Sequence, residues 1–270
     1  MRTKVAILGA GNMGLAIADG ILVAGLRAPQ DMILVRRTTD RLEAYKKKGC
    51  IISDDVVFGA ENADIIILAV KPQMMSGLFD KISDKCVGKL VVSIAAGIKI
   101  ETVERALSGA FVVRTMPNTP LTVGCGVTGI CRSDKVSDED FSEACDLFNC
   151  SGIAFECREE EINALTALTS SAVAYFAAVE DAMCIWAESH GFDGYDKETV
   201  CDLVSKTQEG TARLLFEKRI SPKELIRSVA SPNGTTERAL RVFEEQGLYS
   251  LFSDAMTACL NRAEELSSGK

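Results

Sequence analysis

The sequence predicts an α/β fold in which a doubly wound, mostly parallel sheet is followed by an all-α domain. Three observations predict it. Short apolar runs alternate with amphipathic segments up to about residue 156, a glycine pattern directly follows the first of those runs, and beyond Cys157 the strand signal stops. Near-continuous apolar strands separated by helices belong to a parallel sheet covered on both faces.

The strand-like runs are Val5–Leu8, Ile33–Val35, Ile65–Val70, Leu90–Ile94 and Phe111–Arg114, all rich in valine, isoleucine or leucine. Between them, Gly14–Ala24 and Thr39–Lys48 carry the spacing of helices about ten residues long. From Glu159 to Ser189 apolar side chains fall on almost every side of a helix, and such a helix must be buried. Thr199–Lys218, Pro222–Ala230, Thr236–Gln246 and Leu248–Leu266 read as further helices. The predicted domains are therefore 1–157 and 158–270. The second is too small to cover so apolar a helix alone, so a homodimer or higher homo-oligomer is expected, with burial against the chain's own sheet domain as the alternative.

At 270 residues with 47% apolar side chains, the chain has material for a sizeable core. A net charge of −8 without a basic block excludes a nucleic-acid partner. The longest uninterrupted apolar runs, Ile65–Val70 and Ala172–Val179, are far shorter than the ~20 residues of a membrane span, so none is expected. The first strand starts too close to Met1 to leave room for a signal peptide, and the ten scattered cysteines include no CxxC pair. Cytoplasmic residence with reduced thiols is expected. A single histidine, His190, leaves poor material for a metal site or a Ser-His-Asp triad. Its place at a helix end suits a dipole partner or a surface residue.

Gly9-Ala10-Gly11-Asn12-Met13-Gly14 follows a strand and opens a helix, the context in which GxGxxG marks a Rossmann-type dinucleotide loop. Gly9 permits the turn, Gly11 lets a pyrophosphate approach, and Gly14 allows close helix packing, while the helix start offers free N–H groups. At the end of the second strand, where an acid would hold the ribose of NADH, the chain has Arg36-Arg37-Thr38. Two guanidinium groups and a hydroxyl suit a 2′-phosphate, which predicts NADPH, with NADH as the alternative. Ala69-Val70-Lys71-Pro72, Ala95-Ala96-Gly97 and Met116–Pro120 follow later strands. All three loops are placed at the carboxyl edge where such sheets bind cofactors.

These loops, together with the spacing of Pro222, Leu225, Val229-Ala-Ser231, Asn233-Gly234, Thr236, Ala239-Leu240 and Phe243-Glu244, make the chain resemble pyrroline-5-carboxylate reductase over nearly its full length. The resemblance implies reduction of a cyclic imine to L-proline by NAD(P)H, cofactor contacts at Ala69–Pro72 and Ala95–Gly97, and a helical domain that interleaves in a dimer. It also places the substrate at the corner Ser231–Thr236. There Ser231 and the backbone of Asn233, Gly234 and Thr235 are expected to hold the carboxylate, and the Thr236 hydroxyl the ring nitrogen. Glu159 matches a carboxylate that favours the cationic form of that nitrogen.

The chain departs from the family pattern in three places. Thr169-Ser-Ser-Ala-Val-Ala-Tyr175 replaces a run that carries two glycines and a proline, which would permit one longer helix. Lys206 stands for a glutamine, and an asparagine is missing within Ser53–Val56. Two other readings remain open on sequence: a β-hydroxyacid-type dehydrogenase, and a non-catalytic NADP(H) sensor. The first calls for a lysine on the interdomain helix, and Ala164–Ala182 contains none.

Overall fold

The β-branched runs of the first half pair into one sheet, and the elements between them cover its faces. The computed structural model describes residues 4–267. In chain order the elements are β1 (Val5–Leu8), α1 (Asn12–Val23), β2 (Met32–Val35), α2 (Glu43–Lys48), β3 (Ile51–Ser53), α3 (Val56–Glu61), β4 (Ile65–Leu68), α4 (Met75–Ile82), β5 (Leu90–Ser93) and α5 (Ile100–Ala106). They continue with β6 (Phe111–Pro117), β7 (Gly126–Arg132), α6 (Asp138–Asn149), β8 (Gly152–Glu156) and α7 (Ile162–Leu165). The last five are α8 (Ala172–Glu188), α9 (Lys197–Lys218), α10 (Pro222–Val229), α11 (Thr235–Glu245) and α12 (Leu248–Ser267).

The eight strands run in the order β3-β2-β1-β4-β5-β6-β7-β8. All neighbours are parallel except β6 and β7. Alternate strand residues feed two cores. Val5 and Ile7 pack with Ile17 and Ile21 of α1 and Phe148 of α6, whereas Ala6 and Leu8 pack with Leu78 and Ile82 of α4 and Val103 of α5. The chain winds outward from β1 to β3, then crosses to β4 on the other side of β1. That reversal opens a crevice at the carboxyl ends of β1 and β4, where ligands of open α/β sheets sit.

Three strands escaped the sequence reading. β3 is three residues long, and β8 is an outer strand with Ile153 and Phe155 about half exposed. β7 is interrupted by glycines because its neighbours come too close for side chains: a Cβ on Gly126 would lie 2.8 Å from the Leu121 Cβ, and one on Gly129 2.8 Å from the Leu165 Cδ1. The predicted Thr39–Lys48 helix is shorter, with only Glu43–Lys48 α-helical.

Glu159–Glu188 is helical over 30 residues and contains an 18-residue window of mean hydropathy 1.5, long and apolar enough by length and composition to cross a membrane. The substitution of glycine and proline within it does yield an unbroken helix, but an irregular one. Thr166–Ser170 forms a π-helical turn in which the Ser171 N–H donates to the Thr166 carbonyl at 2.8 Å. A change from sheet to helix falls near residue 157, while compactness divides the chain at Ser171. One compact unit runs up to Ser171 and takes back the chain from Cys259 onward; the other is Ala172–Ala258.

Candidate active site

In the first unit, β1 delivers its last residue to a turn that only glycine can make. Gly9 has φ +101°, and a Cβ there would stand 2.8 Å from the Ala69 carbonyl and from the Val70 Cγ1. A Cβ on Gly14 would lie 2.9 Å from the Gly9 carbonyl oxygen and 3.0 Å from the Ile7 Cγ2. The fold therefore demands both glycines. Gly11 is different: the nearest atom to its Cβ position is 3.8 Å away, so its bare backbone is open to something outside the chain.

The N–H groups of Gly9 and Ala10 both donate to the Val35 carbonyl, at 3.0 and 2.9 Å, which pins the loop to the end of β2. Beyond them, α1 starts at Asn12 with no side-chain cap and no acid in its first turn, so the amides of Asn12, Met13 and Gly14 form an electropositive helix start. Arg36 folds back over this loop, its Nη1 donating to the Ala10 carbonyl at 3.3 Å. Arg37 and Thr38 point to solvent. Ala69 is tied to β1 through its N–H to the Leu8 carbonyl, and Lys71 is exposed just before Pro72 opens a short turn. Ala95 is buried and Ala96 exposed; Gly97, at φ +75°, leaves a Cβ position only 3.2 Å from the Leu266 carbonyl oxygen at the end of α12. The loops from β1, β2 and β4 thus converge on an anion-receptive cradle that fits a dinucleotide, and Arg36 is already held across it.

Glu159 has a place that sequence spacing did not reveal. Its Oε1 accepts from the Arg114 Nη1 at 2.9 Å and from the Ile100 N–H at 2.8 Å. Arg114 is 3% exposed, so Glu159 neutralises a buried cation and caps α5 together. Asn118 is the other residue passed over. Its Nδ2 donates to the Thr169 carbonyl at 3.2 Å, and its Oδ1 accepts from the Val127 N–H at 2.9 Å. It ties the Met116–Pro120 loop to the π-helical turn, whose widened hydrogen bonding leaves carbonyls in need of outside donors. Neither partner is near in sequence, so no local motif could have found them.

In the second unit, the corner between α10 and α11 is built by Pro232-Asn233-Gly234. Asn233 takes the left-handed conformation at φ +58°, and a Cβ on Gly234 would meet the Ser231 Oγ at 2.5 Å. The Asn233 N–H donates to the Glu237 carboxylate and the Gly234 N–H to the Ser231 carbonyl. Those two donors serve the turn itself. α11 begins at Thr235 with Gly234 as N-cap and no side-chain cap, so the donors facing outward are the first-turn amides from Thr235 onward. Ser231, Asn233 and Thr235 are exposed, and Thr236 is half-buried. In the same unit, His190 closes α8: it stacks on Trp186 at 4.2 Å between ring centroids and places Nδ1 2.8 Å from the Trp186 carbonyl oxygen.

A glycine cradle at the switch point of a doubly wound sheet, followed by a helical domain, defines a dinucleotide-dependent oxidoreductase. Comparison with known proteins agrees on both parts. Residues 4–97 match the family model described as NADP oxidoreductase, coenzyme F420-dependent, and residues 159–266 match the pyrroline-5-carboxylate reductase dimerisation model. The chain is 33% identical over 270 residues to the pyrroline-5-carboxylate reductase of Corynebacterium melassecola, covering 98% of each. It superposes on the solved pyrroline-5-carboxylate reductase of Coxiella burnetii with a TM-score of 0.91 at 34% identity, covering 98% of both chains. The Plasmodium falciparum enzyme, solved with NADP bound, gives 0.88 at 24% identity over 98% of each. The chain belongs to the pyrroline-5-carboxylate reductase family.

Proposed function

We infer that this chain reduces Δ1-pyrroline-5-carboxylate to L-proline with NADPH, as a step of proline biosynthesis. The observation that carries the reading is full-length membership of the family, and the glycine cradle and the turn at Ser231–Thr236 support it. Residues 1–157 are assigned to the cofactor and 158–270 to substrate and self-association. Bound NADPH supplies a hydride to the C=N carbon. The chain's task is to hold and orient.

In this reading Gly11 and the amides of Asn12, Met13 and Gly14 take the pyrophosphate. Arg36 is held across the loop, which leaves Arg37 and Thr38 to reach the 2′-phosphate. At the corner, the first-turn amides of Thr235 and Thr236 with the Ser231 hydroxyl receive the substrate carboxylate. The Thr236 hydroxyl hydrogen-bonds the ring nitrogen, which arrives protonated and needs no strong acid. Glu159 Oε1 already serves Arg114 and Ile100, so the contact that the family resemblance implies falls to Oε2. The lysine needed for β-hydroxyacid chemistry has no counterpart in Ala164–Ala182.

The dimerisation domain supports a homo-oligomer, proposed as a dimer that can assemble further. Cytoplasmic residence is proposed with it, supported by ten free cysteines. The test is NADPH oxidation with pyrroline-5-carboxylate and with NADH in its place. NADPH-dependent turnover is expected, and tight NADPH binding without turnover would leave the sensor reading standing. Thr236→Ala is expected to lower kcat/KM about tenfold or more with the fold intact. An unchanged value removes Thr236 from the mechanism.

A further inference from the structure

Of the ten thiols four are buried, five are partly buried and Cys125 is exposed. Burial pushes Cys86 up to about 11 and Cys131 up to about 12, so they behave as inert core residues. One pair differs. Cys184 near the end of α8 and Cys201 near the start of α9 face each other with their sulfurs 2.8 Å apart. A disulfide needs about 2.04 Å, so closure asks for a movement of under about 1 Å between two helices already packed together.

We propose that Cys184 and Cys201 form an intramolecular disulfide that clips α8 to α9, made by exchange with a small-molecule disulfide of the glutathione class. Access supports the chemistry. Cys184 borders a cleft of about 380 Å³ lined also by Phe192, Tyr195, Lys197 and Val200, and Cys201 is partly exposed. The order of steps follows from the environment. The hydrogen bond with Cys201, then burial, push Cys184 up to about 11, while Cys201 is the partly exposed sulfur of the pair that an incoming disulfide reaches first, so Cys201 attacks first.

Cys201, having given its proton to water, bonds to one sulfur of the small disulfide and releases the first small thiol. Cys184 then loses its proton and attacks the Cys201 sulfur, releasing the second. Two protein S–H bonds and one small-molecule S–S bond become one protein S–S bond and two small thiols. The protein pair is oxidised and the small disulfide reduced. The site matters because α8 and α9 together bury only Ala172, Cys184, Ala187 and Val200, so the clip sits at the interior the two helices share.

The test exposes the full-length protein to glutathione disulfide, alkylates it under denaturing conditions, and maps cysteine-containing peptides by mass spectrometry. The expected product joins the Cys184 and Cys201 peptides with loss of two hydrogens and is reversed by dithiothreitol. The oxidised protein should melt about 5 °C or more higher than the reduced form, since a bond closing a short loop restrains the unfolded chain. Cys201→Ser should block both changes. If Cys184 and Cys201 stay alkylatable while exposed Cys125 has reacted, or if a mixed disulfide persists at Cys201 without cross-linking, the proposal fails. Both of these outcomes are read on the wild-type chain and need no variant to fold.

Discussion

Ile65–Leu68 and Phe176–Trp186 both carry large apolar side chains, with opposite fates. The first lies at 0% exposure, shielded on both faces by helices of its own unit. In the second, Phe176 is 58% and Trp186 57% exposed, and α10, α11 and α12 bury none of their residues. One unit completes its core with its own chain; the other has apolar surface laid out for a partner of the same kind. The matched dimerisation model covers that second stretch and the whole of Glu159–Glu188.

The sharpest way to break this contrast is Phe176→Asp. A buried unpaired charge at an interface costs several kcal/mol, so self-association should weaken at least a hundredfold, read by sedimentation or light scattering. If the variant associates like the wild type, α8 is not the interface. A smaller effect is expected from Glu159→Ala, which leaves the buried Arg114 guanidinium without its carboxylate. With Glu159 partly exposed the loss should be about 2 kcal/mol, or about 5 °C in the melting of the first unit, with association unchanged. Loss of association instead would show that the two units are not independent in this respect. The smallest effect separates the arginines. Arg37→Ala should reduce the preference for NADPH over NADH about tenfold, whereas Arg36→Ala should weaken both cofactors alike through the loop it braces. Equal loss of preference in both variants would erase that distinction.

Sequence showed what repeats or clusters along the chain. The cradle was legible because Gly9, Gly11 and Gly14 follow a strand and precede a helix, and the five central strands because their apolar runs leave no other reading. β7 was hidden because Gly126 and Gly129 answer to Leu121 and Leu165 rather than to a strand pattern. The corner at Ser231–Thr236 was singled out by the family resemblance, but which amides face outward depends on hydrogen bonds to Glu237 and Ser231 that only coordinates reveal. Arg114 and Glu159 are 45 residues apart and Asn118 and Thr169 are 51 apart, so no window of sequence joins them. The loss of glycine and proline at 169–175 pointed to one longer helix. The turn at Thr166–Ser170 is π-helical nonetheless, and the Asn118 side chain supplies a donor to it.

The return of the chain from Cys259 to the first unit also bears on how the protein is made. The Ser267 Oγ reaches Asn163 at 3.1 Å, the Cys259 Sγ reaches Ser171 at 3.2 Å, and the Leu266 carbonyl lies against Gly97. On the ribosome, domains generally fold as they emerge, earliest first. Here the earliest unit lacks a piece that is synthesised only after Ala172–Ala258, so its Gly97 loop is finished only once the other unit has been made. A stalled or prematurely terminated product would carry the sheet but leave the Gly97 loop without its neighbour.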